Sequence, residues 1–182
     1  MTVAGLLLAA GAGSRMGMPK ALVRDADGTS WLRRSVAALT DGGCDAVTVV
    51  LGARADEARA LVPDGVTVVV ADEWADGMSA SLRAGLAAMD DADAVVLTLV
   101  DLPDVTAEVV RRVVAQGAGR ATLSRAAYDG RPGHPVVLGR DHWAGVAASA
   151  TGDQGARPYL AAHDVALVEC GDLATGDDRD SR

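Results

Sequence analysis

Two stretches of this chain are nearly continuous β-formers: Val66-Thr67-Val68-Val69-Val70 and Val95-Val96-Leu97-Thr98-Leu99-Val100. A strand with one wet face alternates apolar and polar residues, so a run that is apolar at almost every position is buried on both faces. Parallel sheets sandwiched between helices provide that environment. Further strands are expected at 3–8, 46–51, 120–124, 135–138 and 165–168, in addition to 66–70 and 94–100. Helical patterns lie between them. Thr29 or Ser30 caps one that runs to about Leu39 and stops at Gly42-Gly43. Met78, Leu82, Leu86 and Met89 mark a second, amphipathic one. Thr106 caps a third, with Val109, Val110, Val113 and Val114 on one side. Asp153 or Gln154 opens a fourth that reaches about His163. The βαβα order predicts an α/β chain with a doubly wound, mostly parallel sheet, in a single domain over 1–182.

Charge narrows the partners. Seventeen basic against 25 acidic residues give a net charge of −8. An acidic chain is a poor general binder of nucleic acid or of an anionic membrane, so neither is expected as a partner. No apolar stretch reaches the roughly 18–20 residues that cross a bilayer, and the first apolar run breaks at Ala9-Ala10-Gly11-Ala12-Gly13. The expected location is the cytoplasm. Cys44 and Cys170 make neither a disulfide framework nor a four-thiolate metal site, and the His spacing does not suit zinc.

The strongest local signal follows the first strand: Leu8-Ala9-Ala10-Gly11-Ala12-Gly13-Ser14-Arg15-Met16-Gly17-Met18-Pro19-Lys20. In an open α/β sheet, ligands bind beyond the carboxyl ends of the strands. Glycines there let backbone N–H groups approach an anion, and Arg15 and Lys20 add positive charge. The two familiar phosphate loops do not fit. A dinucleotide fingerprint has Gly where Met16 stands and an acid after the second strand, where this chain has Gly52-Ala53. A Walker loop has Ser or Thr after its Lys, and Ala21 follows Lys20. A solvated surface turn is the plainer alternative.

A second signal is Asp101, which ends the run 94–100 and precedes Leu102-Pro103. A carboxylate at that sheet edge suits Mg²⁺, which takes one or two carboxylates plus substrate phosphates. A turn or helix-capping Asp is equally consistent with its position. Trp74-Ala75-Asp76-Gly77-Met78-Ser79-Ala80-Ser81-Leu82-Arg83 leads into the second helix, whose free N–H groups can face an anion. The plain alternative has Trp74 packing, Ser79 capping and Arg83 solvated. His134, in Arg131-Pro132-Gly133-His134-Pro135, reads as a structural histidine on its own, and His142 and Trp143 as packing residues. Asp153 reads as a helix cap, with Arg157 one turn beyond it.

The loop from Leu8 to Lys20 resembles the signature of the nucleotidyltransferases that attach a nucleotide to molybdopterin, and more broadly is similar to the sugar-nucleotide pyrophosphorylases. The likeness extends over 3 to about 180 and is sharpest in the first loop. It implies a Rossmann-like three-layer α/β/α nucleotidyltransferase fold. It further implies that Leu8, Ala9, Ala10, Gly11, Ala12, Gly13 and Ser14 wrap the triphosphate of a nucleotide. Arg15, Lys20 and Asp101 then carry catalysis, and Gly77, Ser79 and Ser81 line the nucleotide. Asp101 becomes a ligand of Mg²⁺. The tail Asp178-Arg179-Asp180-Ser181 looks like a degenerate copy of a second acidic motif, which makes Asp180, or Asp178, a further metal ligand; Asp172 is another carboxylate in that region, and a solvated tail is the alternative. His134 and Arg157 are implied on the acceptor side.

The reaction so implied joins the phosphate of a molybdopterin-type acceptor to the α-phosphate of CTP and releases pyrophosphate. Ala10 favours CTP, because cytidylyl-transferring members read Leu-Ala-Ala-Gly and guanylyl-transferring ones Leu-Ala-Gly-Gly. A molybdenum hydroxylase receives the product. GTP-dependent or sugar-1-phosphate transfer, and a nucleotide-binding carrier without catalysis, are the other readings.

Overall fold

The computed structural model describes residues 1–89 and 91–179. Seven strands form one sheet: β1 (Val3–Ala9), β2 (Ala46–Leu51), β3 (Thr67–Val70), β4 (Ala94–Leu99), β5 (Leu123–Tyr128), β6 (Arg131–Gly139) and β7 (Ala166–Glu169). Six α-helices accompany them: α1 (Trp31–Asp41), α2 (Ala55–Arg59), α3 (Met78–Ala87), α4 (Ala107–Ala115), α5 (Trp143–Ser149) and α6 (Arg157–Ala161). The strand order is β3-β2-β1-β4-β6-β5-β7. β1, β2, β3 and β4 run parallel, β6 runs antiparallel to both β4 and β5, and β7 is parallel to β5. The α/β/α layering and the mostly parallel sheet match the expectation.

The central strands are buried on both faces because alternate residues feed two cores. Leu7, Val49, Leu51 and Val96 pack under α1 and α4, whereas Leu6, Leu8, Val50, Val95 and Leu97 pack under α3, α5 and α6. Leu6 and Leu7 are both wholly buried, each contributing about 2–3 kcal/mol by removal from water. Gly85 lets α3 sit close on the sheet: a Cβ there would lie 2.7 Å from Leu6 Cδ1 and 2.9 Å from Val50 Cγ2.

Several local expectations are corrected. Ser30 does cap α1, its hydroxyl accepting from the Arg33 N–H at 3.4 Å. Thr106 occupies the cap position of α4 but its side chain makes no capping bond. The strand expected at 120–124 lies at Leu123–Tyr128, and its partner begins at Arg131. The pair is closed by Asp129-Gly130, both with positive φ (51° and 76°), the geometry of a two-residue hairpin turn. The single helix expected from Asp153 to His163 is a 3-10 turn at Gly152–Gln154 followed by the short α6, because Gly155 takes φ +55° between them. Helices α2 and α5 were not expected.

Candidate active site

The strand order reverses direction between β1 and β4, so the carboxyl ends of these two strands define the crevice of the sheet. The loop after β1 and the residues after β4 meet there. They wall a cleft of about 490 Å³ together with Trp74, Gly77, Met78, Ser81 and Asp153. All seven residues from Leu8 to Ser14 line it, as do Arg15, Lys20 and Asp101. The topology therefore brings together residues as far apart in sequence as Leu8 and Asp153.

The loop is shaped by close approach of backbone. Gly13 takes φ +60°, and a Cβ there would lie 2.0 Å from the Met18 carbonyl oxygen. The Met16 N–H closes a turn on the Gly13 carbonyl at 2.9 Å. Met16, which stands where a dinucleotide fingerprint has glycine, is buried in the core. The loop then passes through Pro19 into one 3-10 turn at Lys20–Leu22 rather than running straight into a long helix. The loop therefore lines the cleft with no long helix following it directly.

Lys20 Nζ donates to Asp101 Oδ2 at 2.5 Å across the cleft. Asp101 is only 8% exposed. Its other oxygen, Oδ1, is buried and has no hydrogen-bond partner. A buried carboxylate oxygen without a donor costs free energy unless a cation or a ligand proton meets it. Among the described residues no group of three or more His, Cys, Asp or Glu side chains is assembled to hold a metal ion. Asp101 and Asp153 are the carboxylates that line the cleft among the described residues, and Asp101, with its orphaned oxygen, suits a hard divalent cation that takes most of its ligands from phosphates and water.

The second acidic motif is placed only in part. Asp180 lies outside the described residues. Asp178 is exposed beside Asp25, Asp104 and Arg179 in a neighbouring depression. The tail is tied to the site all the same: the Arg179 N–H donates to the Asp101 carbonyl at 2.9 Å, and its guanidinium reaches Asp25 at 3.3 Å. Asp172 is instead paired with Arg112 at 2.5 Å, whose guanidinium lowers the carboxyl pKa.

The segment leading into α3 behaves differently from expectation. Asp153 does not open its own helix; its carboxylate accepts from the Met78 N–H at 3.3 Å, across the chain at the first turn of α3. Gly77, with φ +106°, has no room for a Cβ, which would lie 2.6 Å from Gly152 and 2.7 Å from Asp153 Oδ1. Ser79 is 1% exposed and its hydroxyl accepts from the Gly155 N–H at 3.1 Å, so it holds this turn and is not part of the cleft wall. Ser81 does line the cleft. Arg83 donates to the Ala150 carbonyl at 2.9 Å.

His134 and Arg157 come together at a second, smaller cavity that shares Leu8, Met78 and Leu99 with the cleft. Burial, with Arg125 and Arg157 nearby, pushes the His134 imidazole down to about 4, so it is neutral at pH 7. Arg157 is the first residue of α6, not one turn inside it. Arg125, on β5, lines the same cavity and is not singled out from sequence; the Asp129-Gly130 hairpin signal places it on a strand but not on either face. His142 and Trp143 are fixed structurally: His142 Nδ1 meets the Tyr159 hydroxyl at 2.9 Å, and the Trp143 indole N–H donates to the Leu138 carbonyl at 2.8 Å.

Comparison with known proteins agrees with this geometry. Residues 5–167 match the MobA-like NTP transferase domain. The chain belongs to the MobA-like NTP transferase family. As such it is a member of a nucleotidyltransferase family, with the fold of one. It is 38% identical to nicotine blue oxidoreductase of Paenarthrobacter nicotinovorans, over 98% of this chain and 92% of that protein. A nucleotidyl transferase from Methanothermobacter, Mth528, superposes with a TM-score of 0.78 at 27% identity, covering 93% and 87% of the two chains. Rv0371c of Mycobacterium tuberculosis H37Rv, solved in complex with manganese, superposes with a TM-score of 0.79 at 28% identity, covering 98% and 94%. In this MobA-like chain no helix among the described residues is long and apolar enough to cross a membrane.

Proposed function

We propose that this MobA-like chain transfers a cytidylyl group from CTP to the phosphate of a molybdopterin-type acceptor, with Mg²⁺, and releases pyrophosphate. The observation that carries this reading is the convergence of the glycine loop, Arg15, Lys20 and Asp101 on one cleft at the sheet's switch point. An oxygen of the acceptor phosphate forms a bond to the α-phosphorus, and the bond from that phosphorus to the β-phosphate oxygen breaks. The nucleophile is already an anion, so no activated Ser, Cys or His is needed. Catalysis then rests on positioning and on charge neutralisation.

The loop amides from Gly11 to Ser14 hold the triphosphate, and Arg15 and Lys20 offset the charge gathering on the pyrophosphate. Asp101 would hold Mg²⁺ through its orphaned Oδ1, with phosphate oxygens completing the shell. The bound cation supplies Lewis-acid stabilisation of phosphoryl charge. Ala10, buried in the cleft wall, carries a methyl group that narrows the base site toward a pyrimidine. One such group discriminates by about 1–3 kcal/mol.

The test is pyrophosphate release with molybdenum cofactor and Mg²⁺, comparing CTP, GTP, ATP and UTP. Release with CTP alone supports the proposal; release with GTP alone overturns the base assignment and keeps the reaction. Tight nucleotide binding with no release for any acceptor supports a carrier instead.

A second reading has one specific observation in its favour: the 38% identical relative is named an oxidoreductase. A nicotinamide dinucleotide also carries a diphosphate that a glycine loop can cradle. Against it stand Met16 in the loop and Gly52-Ala53 after β2, where a ribose-binding acid is wanted. Titration with NADH and NADPH, followed by fluorescence, decides: binding tighter than that of any NTP favours the redox reading.

A further inference from the structure

The smaller cavity measures about 80 Å³, the volume of about three water molecules. It has room for one tetrahedral oxyanion. Its walls include Leu97, Val136 and Leu160, yet it also collects Arg125, His134 and Arg157. Arg125 pairs with Val136 across the β5–β6 ladder, and Val136 with Leu97 across β6–β4. Residues in one such row point to the same face of a sheet. A guanidinium therefore projects into the layer that α3 and α6 cover, in line with two buried apolar side chains. Its Nε–H donates to the Gly133 carbonyl at 3.0 Å, which fixes the orientation of the fork.

Neither Arg125 nor Arg157 has a carboxylate partner among the described residues. Two like charges held near each other, one of them half-buried, work against folding. The neutral state of His134 avoids a third. An anionic ligand would supply the missing charge, and a guanidinium fork with an imidazole N–H suits the oxygens of a phosphate.

We propose that this cavity seats a phosphate group of the acceptor and that Arg125 is a specificity-determining residue gripping it, with His134 and Arg157. This rests on the transferase reading above. The placement agrees with transfer chemistry, because the cavity adjoins the nucleotide cleft along Leu8, Met78 and Leu99. One turn borders both: Asp153 faces the cleft, whereas Gln154 and Gly155 face the cavity.

The test uses Arg125→Gln and Arg125→Lys in the full chain, with inorganic phosphate as the probe. Phosphate titrated into the wild type should shift the His134 imidazole resonance saturably. Arg125→Gln should weaken that binding by about tenfold or more, and Arg125→Lys, which keeps charge but not the fork, by less. In turnover, Arg125→Gln should raise the acceptor KM by about the same factor and leave the CTP KM alone. Free phosphate should compete with the acceptor and not with CTP. No resonance shift in the wild type, equal shifts in Arg125→Gln, or competition with CTP would each overturn the proposal. A merely structural Arg125 would lower the melting temperature and alter both KM values together. Should the wild type transfer nothing to molybdopterin and still bind phosphate through Arg125, the transferase reading fails while the oxyanion site stands.

Discussion

Acidification from pH 7 to 4.5 should cost the wild type about 2 kcal/mol more stability than it costs a His134→Gln variant. The reasoning starts from burial, which together with Arg125 and Arg157 lowers the His134 pKa from 6.5 to about 4. Between those values the unfolded chain takes up a proton that the native state refuses. Stability therefore falls as pH falls: the contribution is whole above 6.5 and gone below 4. The limiting slope is about 1.4 kcal/mol per pH unit, and integrating between pH 7 and 4.5 gives the figure of about 2 kcal/mol. The variant lacks this term. Carboxylates held low by their partners, such as Asp25 beside Trp31 and Arg34 and Glu169 among the backbone amides of Gly171, Gly130, Asp129 and Cys170, act alike in both proteins and drop out of the difference. Urea unfolding of both proteins at the two pH values measures it. Equal losses, or an imidazole that titrates near 6.5 by NMR, would refute the argument.

Three further outcomes are expected. Asp101→Asn should keep the fold and lose turnover by orders of magnitude in the pyrophosphate assay, since Asn cannot neutralise a cation. Gly13→Ala should weaken nucleotide binding by about tenfold or more, seen by calorimetry, because no Cβ fits 2.0 Å from the Met18 carbonyl at φ +60°. Gly85→Val should destabilise by about 2–3 kcal/mol in urea unfolding, as branched carbons would collide with Leu6 and Val50.

Much of the fold could be read because burial leaves a plain trace. The all-apolar run at Val95 marks a strand covered on both sides, whereas the similar run at Val66 forms the edge strand β3, where Val70 is 38% exposed, because an apolar run does not tell edge from centre. The glycine loop follows from its place after the first of the central strands. The later half was harder. The local pattern puts a strand at 120–124, three residues earlier than β5 begins, because the register of this pair is set by the Asp129-Gly130 hairpin turn and not by the run itself. Asp153 looked like the cap of its own helix and instead reaches the Met78 N–H at 75 positions' distance, a contact no local rule reveals. Ser79 looked like a ligand-facing hydroxyl and is spent on the Gly155 N–H. In each case a tertiary partner took a polar group that local reasoning had assigned elsewhere. Arg125 was missed because a lone arginine in a strand announces nothing until the sheet shows which face it is on.

The pair formed by Lys20 and Asp101 couples the two charges that a cation and a nucleotide would meet in the cleft. Each already offsets the charge that its eventual partner would meet: the ammonium sits on Oδ2 of the carboxylate, beside the orphaned Oδ1, and so weakens the pull of that carboxylate on a cation and its own pull on a phosphate. A divalent cation arriving alone meets a competitor already in place, and so does a bare triphosphate. Arriving together, they exchange partners and leave no charge stranded. On the proposed reading, cation and nucleotide therefore bind with positive cooperativity, and by linkage each strengthens the other by the same factor.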